Sequence, residues 1–170
     1  MTKAIAIVGP TAVGKTALSI QLAHDLNGEV ISGDSMQIYR HLDIGTAKIT
    51  PAEMDGVPHH LIDIRDLNQR FSAAEFQKLA NEQIDQIAAR QHLPMVVGGT
   101  GFYLQTLTEN LALGADHFDE QSQRIRDYWH QIADQKGPEA VWKQLYQKDP
   151  QAAKQIPVGN LRRVIRALEV

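Results

Sequence analysis

Eight residues near the amino terminus, Gly9-Pro10-Thr11-Ala12-Val13-Gly14-Lys15-Thr16, constrain this chain more than any other stretch. They follow the apolar run Ala4-Ile5-Ala6-Ile7-Val8, which reads as a buried strand. They precede Ala17 to Leu26, which reads as a helix with Leu18, Leu22 and Leu26 on one stripe. A strand, GxxxxGK[ST] and a helix, in that order, make a phosphate-binding P-loop. The glycines let the backbone curl so that successive N–H groups point inward, and the helix N-terminus adds the positive end of its dipole. Lys15 would reach across a diphosphate, and Thr16 would hold a Mg²⁺ ion. The loop implies a bound di- or triphosphate. It does not say whether that phosphate belongs to a nucleotide.

The 170 residues suit an α/β domain with a sizeable core, and 43% hydrophobic with 22% charged residues is an ordinary globular balance. A net charge of −3 argues against a surface that binds nucleic acid everywhere, and leaves a local basic patch open. The absence of cysteine excludes disulfides, thiolate metal sites and a Cys nucleophile. No stretch approaches the roughly 18 apolar residues of a membrane span. The first residues read as a core strand and not as a signal peptide, so the expected location is cytoplasmic.

Further along, Gly28 ends the first helix and Glu29 to Ser32 reads as a second strand. Residues 33–48 are polar and Gly-punctuated, which predicts mostly loop with a short helix, and Pro51 to Glu53 starts a helical turn. His59 to Ile64 reads as a third strand. Ser72 and Glu75 form a capping box for a helix carrying Phe76, Leu79, Ala80, Ile84, Ile87 and Ala88, which Leu93-Pro94 stops. Met95-Val96-Val97 reads as a fourth, buried strand, followed by Gly98-Gly99-Thr100-Gly101 and a helix from about Phe102 to Leu111. Strands alternating with helices imply right-handed crossovers and a mainly parallel sheet. Beyond residue 114 only helical pieces appear: Glu120 to Gln135, Pro138 to Gln147, a short helix capped by Asp149-Pro150, and Asn160 capping Leu161 to Val170. The last has no stop signal, so the chain is expected to be cut from a longer one. The predicted fold is α/β: a P-loop NTPase-like parallel sheet flanked by helices over 1–113, with an α-helical appendage over 114–170.

In a parallel sheet, ligands sit beyond the carboxyl ends of the strands. Three polar loops leave such ends: the P-loop, Asp34-Ser35 and Gly98-Gly99-Thr100. Asp34 is either a turn aspartate or a general base or metal ligand beside the phosphates. Thr100 is either a helix N-cap or a donor to phosphate oxygens. A kinase normally shows an aspartate at the end of an apolar strand. Here Met95-Val96-Val97 runs into two glycines, and Asp63 sits inside the third predicted strand. His59 and His60 are adjacent on a strand, point to opposite faces and do not share an ion. Trp129, Trp142, Tyr128 and Tyr146 lie at helical spacings and read as core. Arg162, Arg163 and Arg166 lie opposite Leu161, Val164, Ile165 and Leu168, as a solvated basic face or a contact for a phosphate backbone.

In sequence order stand the P-loop, Asp34-Ser35-Met36-Gln37-Ile38-Tyr39, Asp43-Ile44-Gly45-Thr46-Ala47-Lys48, Val97-Gly98-Gly99-Thr100-Gly101-x-Tyr103 and Arg163-x-x-Arg166-Ala167-Leu168-Glu169. Taken together, this set resembles the bacterial tRNA dimethylallyltransferase (isopentenyl-tRNA transferase) family over the whole chain. The resemblance implies transfer of a dimethylallyl group from its diphosphate to N6 of the adenine 3′-adjacent to the anticodon, with release of pyrophosphate. It implies Lys15 and Thr100 at the leaving group and Mg²⁺ at Thr16. Asp34 would be the base, with Ser35, Met36, Gln37 and Thr100 bordering a flipped-out adenine. It further implies that Arg126 and the Arg162-Arg163-Val164-Ile165-Arg166 segment contact the tRNA anticodon arm. A monomer is expected. The family commonly carries a His where Pro157-Val158-Gly159-Asn160 stands, and continues for more than about a hundred residues beyond Ala-Leu-Glu. The resemblance therefore implies a fragment of weak or no activity. The competing readings are an adenylate isopentenyltransferase, a P-loop small-molecule kinase with ATP as donor, and a non-enzymatic phosphate- or RNA-binding module.

Overall fold

A computed structural model describes residues 3–109, 111, 113 and 120–169. The chain divides into two compact units, Met1–Leu113 and Gly114–Val170. The junction near residue 114 and the final residue of the last predicted helix, Val170, lie outside the described residues.

The first unit runs β1 (Ile5–Val8), α1 (Lys15–Leu26), β2 (Gly28–Ser32), β3 (His59–His60), α2 (Ala73–Ala89), β4 (Leu93–Gly98) and α3 (Gly101–Thr108). All strand pairings are parallel, in the order β1-β4-β2-β3. Side chains alternate across the sheet with period two. Val30 and Met95 face a core with Ala23 and Val57, while Ile31 and Val96 face a second core with Phe76, Ile87 and Leu104. The sheet is thus covered on both faces, as parallel sheets require. The capping box forms in full: the Ser72 hydroxyl accepts from Glu75 N, and the Glu75 carboxylate accepts from Ser72 N.

Four expectations need correction. First, β1 is not fully buried, because it lies at the sheet edge among the described strands and Val8 is 58% exposed. Second, α1 buries Ser19 and Ala23 most deeply, and of its leucine stripe only Leu22 packs on the core, with Leu18 and Leu26 about half exposed. Small residues at i and i+4 let this helix lie close to the sheet. Third, residues 33–48 hold hydrogen-bonded turns and a single bridge from Tyr39 to Arg65, with no helix. Fourth, the third strand stops at His60. Leu61 (φ 61°) and Asp63 (φ 55°) turn left-handed, and the N–H groups of Asp63, Ile64 and Arg65 bond the carbonyls of Gln37 and Ile38 instead. Asp63 is therefore a turn residue.

The second unit is α4 (Glu120–Lys136), α5 (Pro138–Lys148), α6 (Pro150–Gln155) and α7 (Leu161–Glu169) around Ala133, Val141, Leu145, Ala153, Val164 and Ile165. Local caps set its boundaries. Asp149 Oδ1 accepts from Gln151 N and Ala152 N at 2.9 Å, and Asn160 Oδ1 accepts from Arg163 N. Trp129 and Trp142 pack on this core, but Tyr128 and Tyr146, expected inside, are exposed and lie edge-on or stacked against the tryptophans.

Candidate active site

Because β1, β2 and β4 run parallel, the loops leaving Val8, Ser32 and Gly98 emerge at one sheet edge. The backbones there nearly touch. Gly33 N donates to Val97 O at 2.8 Å, and Thr100 N donates to Gly33 O at 3.4 Å. A Cβ on Gly98 would fall 2.3 Å from Gly33 O, so only glycine fits at the end of β4. The pair Gly98-Gly99, which departs from the strand-end aspartate of a kinase, is explained by this close approach.

In the P-loop, Ala12 (φ 66°) and Gly14 (φ 88°) are left-handed on either side of Val13. This alternation turns N–H groups toward one concave side. Gly14 is the N-cap of α1 and offers no side chain, and the first turn holds no acidic residue. The positive end of α1 is thus open to an anion. Lys15 Nζ donates to Pro10 O at 2.6 Å, folding the ammonium over the loop that a phosphate would fill.

A cavity of about 340 Å³ opens beside the loop. Thr11, Ala12, Gly14, Lys15 and Thr16 line it, and so does Asp34. The structure therefore brings a carboxylate to the phosphate cradle. Asp34 is a turn aspartate that also borders the cavity. Its Oδ1 accepts from Met36 N at 2.9 Å, an Asx turn, and its carboxylate still borders the cavity. Gln37 lines the cavity too, whereas Ser35, Met36 and Thr100 do not. Thr100 occupies the N-cap position of α3 without capping it. Its Oγ1 accepts from Ser35 N at 3.0 Å and donates to Ser35 Oγ, tying the β4 loop to the β2 loop.

Several contributors make contacts that neither motif nor periodicity shows. Gln37 Nε2 donates to Ala47 O (3.0 Å) while its Oε1 accepts from Ser32 Oγ, so one carboxamide pins the 46–47 turn to the end of β2. The Lys48 side chain, only 5% exposed, donates to Asp43 Oδ1, Asp63 Oδ1 and Tyr39 O. Burial opposes its charge, but the two carboxylates outweigh it and raise the ammonium above the ordinary range. Asp63 is thereby engaged away from the cavity. His59 lines the cavity, and its Nδ1 donates to Val57 O at 2.8 Å. Burial lowers its pKa, so the ring stays neutral near pH 7. His60 points elsewhere, to the buried Glu29 carboxylate at 2.6 Å, which Arg90 also holds. Burial would raise the Glu29 carboxyl, but these partners hold it below the ordinary range.

In the second unit the arginines divide. Arg162 and Arg163 are exposed on α7. Arg126 and Arg166 meet at Glu169: Arg126 Nη2 is 2.7 Å and Arg166 Nη1 is 3.0 Å from Oε1, and Ser122 Oγ donates to the same oxygen. Val164 and Ile165, counted by resemblance among the tRNA contacts, are 0% and 3% exposed within the helical core. Their side chains are packing groups of that core.

An open α1 N-terminus, a left-handed Gly-rich loop ending in Lys15-Thr16 and a parallel sheet define a P-loop NTPase-like α/β protein. The comparisons narrow the class. The IPP transferase family model matches residues 37–170, and the chain belongs to that family. A Limosilactobacillus reuteri protein named tRNA dimethylallyltransferase is 68% identical over all 170 residues, and one of the same name from Enterococcus faecalis is 54% identical. Each alignment covers 55% of the relative, so the chain spans about half the length of the curated relatives it matches. Among solved structures, the Bacillus halodurans tRNA isopentenylpyrophosphate transferase is 53% identical, with a TM-score of 0.66 over 99% of this chain and 55% of that one. A eukaryotic dimethylallyltransferase acting on tRNA is 35% identical, with a TM-score of 0.82 over 99% of this chain and 41% of that one.

Proposed function

We propose that this chain is the donor-binding and base-supplying part of an enzyme that moves a dimethylallyl group from dimethylallyl diphosphate to N6 of the adenine 3′-adjacent to the anticodon in tRNA. The observation that carries the reading is the shared cavity of Lys15, Thr16 and Asp34. The loop N–H groups, the α1 dipole and Lys15 hold the diphosphate and stabilise its charge as it leaves. N6 attacks C1 of the dimethylallyl group, the C1–O bond breaks, and pyrophosphate departs with the electron pair. The N6 proton passes to Asp34, whose Oδ1 is held by Met36 N and whose Oδ2 takes the proton. The adenine must leave its stack to reach this edge. Thr100 acts through Ser35, fixing the Asp34 turn, so that its part in catalysis is to position the base.

Thr16 would hold Mg²⁺, which neutralises diphosphate charge when bound. Among the described residues no group of three His, Cys, Asp or Glu side chains gathers to cage a metal. One hydroxyl beside phosphate oxygens is the donor set of a magnesium ion carried by its substrate. Arg162 and Arg163 are the exposed cations offered to an RNA backbone. No helix among the described residues is long and apolar enough to cross a membrane. The reading places the protein in the cytoplasm as a monomer, with turnover by this half-length chain slow.

Single-turnover transfer, with this chain in excess over an anticodon stem-loop and radiolabelled dimethylallyl diphosphate, tests the proposal. Label at adenine N6 in the wild type, absent in Asp34→Ala, is the expected result. Phosphate transfer from ATP without any prenyl label would restore the kinase reading and overturn this one.

A further inference from the structure

The helical unit runs against the chain's overall charge. Residues 120–169 carry nine Lys and Arg against six Asp and Glu, in a chain whose net charge is −3. Residues 1–113 carry eight against twelve. A polyanion is therefore drawn to the second unit before the first. Lys154 on α6 and Arg162 and Arg163 on α7 are exposed there.

Two aromatic pairs stand on this unit, and they differ in geometry. Tyr128 meets Trp129 edge-on, with 70° between the ring planes. Tyr146 lies almost parallel to Trp142, at 23° and with ring centroids 5.4 Å apart. Trp142 is the anchored member. It packs on the helical core, and its Nε1 donates to Ile156 O at 2.8 Å and to Ala153 O at 3.2 Å. Those carbonyls tie it to the end of α6. Tyr146, four residues further along α5, is the outer ring and is 44% exposed. Trp142 lies against one face of it, so the exposed part of the ring is on the side away from Trp142. Mutual support within one helix accounts for the contact between the rings. It gives no reason to leave the outer aromatic face in water.

We infer that the Trp142–Tyr146 stack is a platform for an unpaired RNA base, which adds a third ring on the outer side of Tyr146 while the cations of α6 and α7 meet the phosphates. This rests on the tRNA reading above, in which the anticodon loop supplies such a base. The Tyr146 ring is already held by Trp142, so it loses little freedom when a base lands on it. Every base has a π-face, so this contact grips a loop without reading its sequence. A duplex keeps its bases stacked on each other and can meet only the cations.

The test is fluorescence anisotropy with a labelled anticodon stem-loop and a labelled, fully paired RNA duplex of equal phosphate number, at one salt concentration. The proteins are this chain, Tyr146→Ala, Tyr146→Leu and Tyr146→Phe. The position is an exposed one on a helix, which spares the core, and circular dichroism checks the helix in each. Tyr146→Ala and Tyr146→Leu should weaken stem-loop binding about tenfold or more, and Tyr146→Phe should stay within about twofold of the wild type. Duplex binding should move less than about twofold in all three. The dependence of stem-loop affinity on salt should keep its slope in Tyr146→Ala, because no phosphate contact is lost. Wild-type affinity in Tyr146→Ala or Tyr146→Leu, no recovery in Tyr146→Phe, or an equal loss for the duplex would overturn the inference alone. Failure of the wild type to bind the stem-loop would overturn the underlying tRNA reading, and the inference with it.

Discussion

The two units are specified by different physics. Among the described residues, every non-glycine in a left-handed conformation, from Ala12 to Gln91, lies in Met1–Leu113. That unit is held at its functional edge by contacts between residues far apart in sequence: Ser35 with Thr100, Gly33 with Val97, and Lys48 with Asp63. Gly114–Val170 is a set of short helices begun by near neighbours, Pro138, Asp149 and Asn160, around one apolar cluster. A site that must gather loops from three strands pays for it in backbone strain, whereas a helical unit needs only caps and a stripe.

The sharpest way to break the comparison is one methyl group in each unit. Gly98→Ala puts a Cβ 2.3 Å from Gly33 O, and urea unfolding should show a loss of about 3 kcal/mol or more together with loss of diphosphate binding. Gly137 has φ 82° but open space around it, so Gly137→Ala should cost only about 1 kcal/mol. Equal costs would mean that the close approach of the β2 and β4 loops does not constrain the fold.

Next come the ion ties. Burial would raise the Glu169 carboxyl, but Arg126, Ser122 and Arg166 bring it down to about 2. A lowered carboxyl stabilises fully above its unfolded value, here 4.5, and that stabilisation disappears as pH falls from 4.5 through about 2. Helix loss in the second unit, followed by circular dichroism, should therefore show an acid phase in this window. Glu169→Gln should abolish the phase and cost about 1–3 kcal/mol at pH 7. In the first unit, Lys48→Met leaves Asp43 and Asp63 facing each other without their shared cation, with a loss of about 1–3 kcal/mol. Faster amide exchange confined to residues 37–49 and 61–66 would locate that damage in the site loops, and uniform exchange would contradict the tie. The smallest effect belongs to a local cap. Ser72→Ala should cost about 1 kcal/mol by thermal melting and leave the site untouched.

The same division governs what the sequence makes legible. Local signals read correctly: the Ser72–Glu75 box, the Asp149 and Asn160 caps, and Pro138 at the start of α5. Long-range pairing does not show in a local window. β4 begins at Leu93 and includes Pro94, which a reading by residue type excludes from a central strand. It is tolerated because Pro94 pairs in register only with Glu29, and β1 begins opposite Met95. The predicted strand through Ile64 fails because the carbonyls of Gln37 and Ile38 claim the N–H groups of residues 63–65. In the site, the P-loop is readable because backbone and helix end do the work within eight residues, and Asp34 because parallel strands put it on the same edge. The burial of Lys48, the Gln37 clamp and the neutral His59 depend on which side chains meet across the fold, and no spacing announces them.

The central claim is that the open α1 terminus and Lys15 cradle a prenyl diphosphate beside Asp34. Calorimetric titration of this chain with dimethylallyl diphosphate and with ATP, each with Mg²⁺, tests it most directly. The account predicts that dimethylallyl diphosphate binds about tenfold or more tighter than ATP, and that Lys15→Ala loses this binding. Tighter binding of ATP, or prenyl-diphosphate binding that survives Lys15→Ala unchanged, would contradict it.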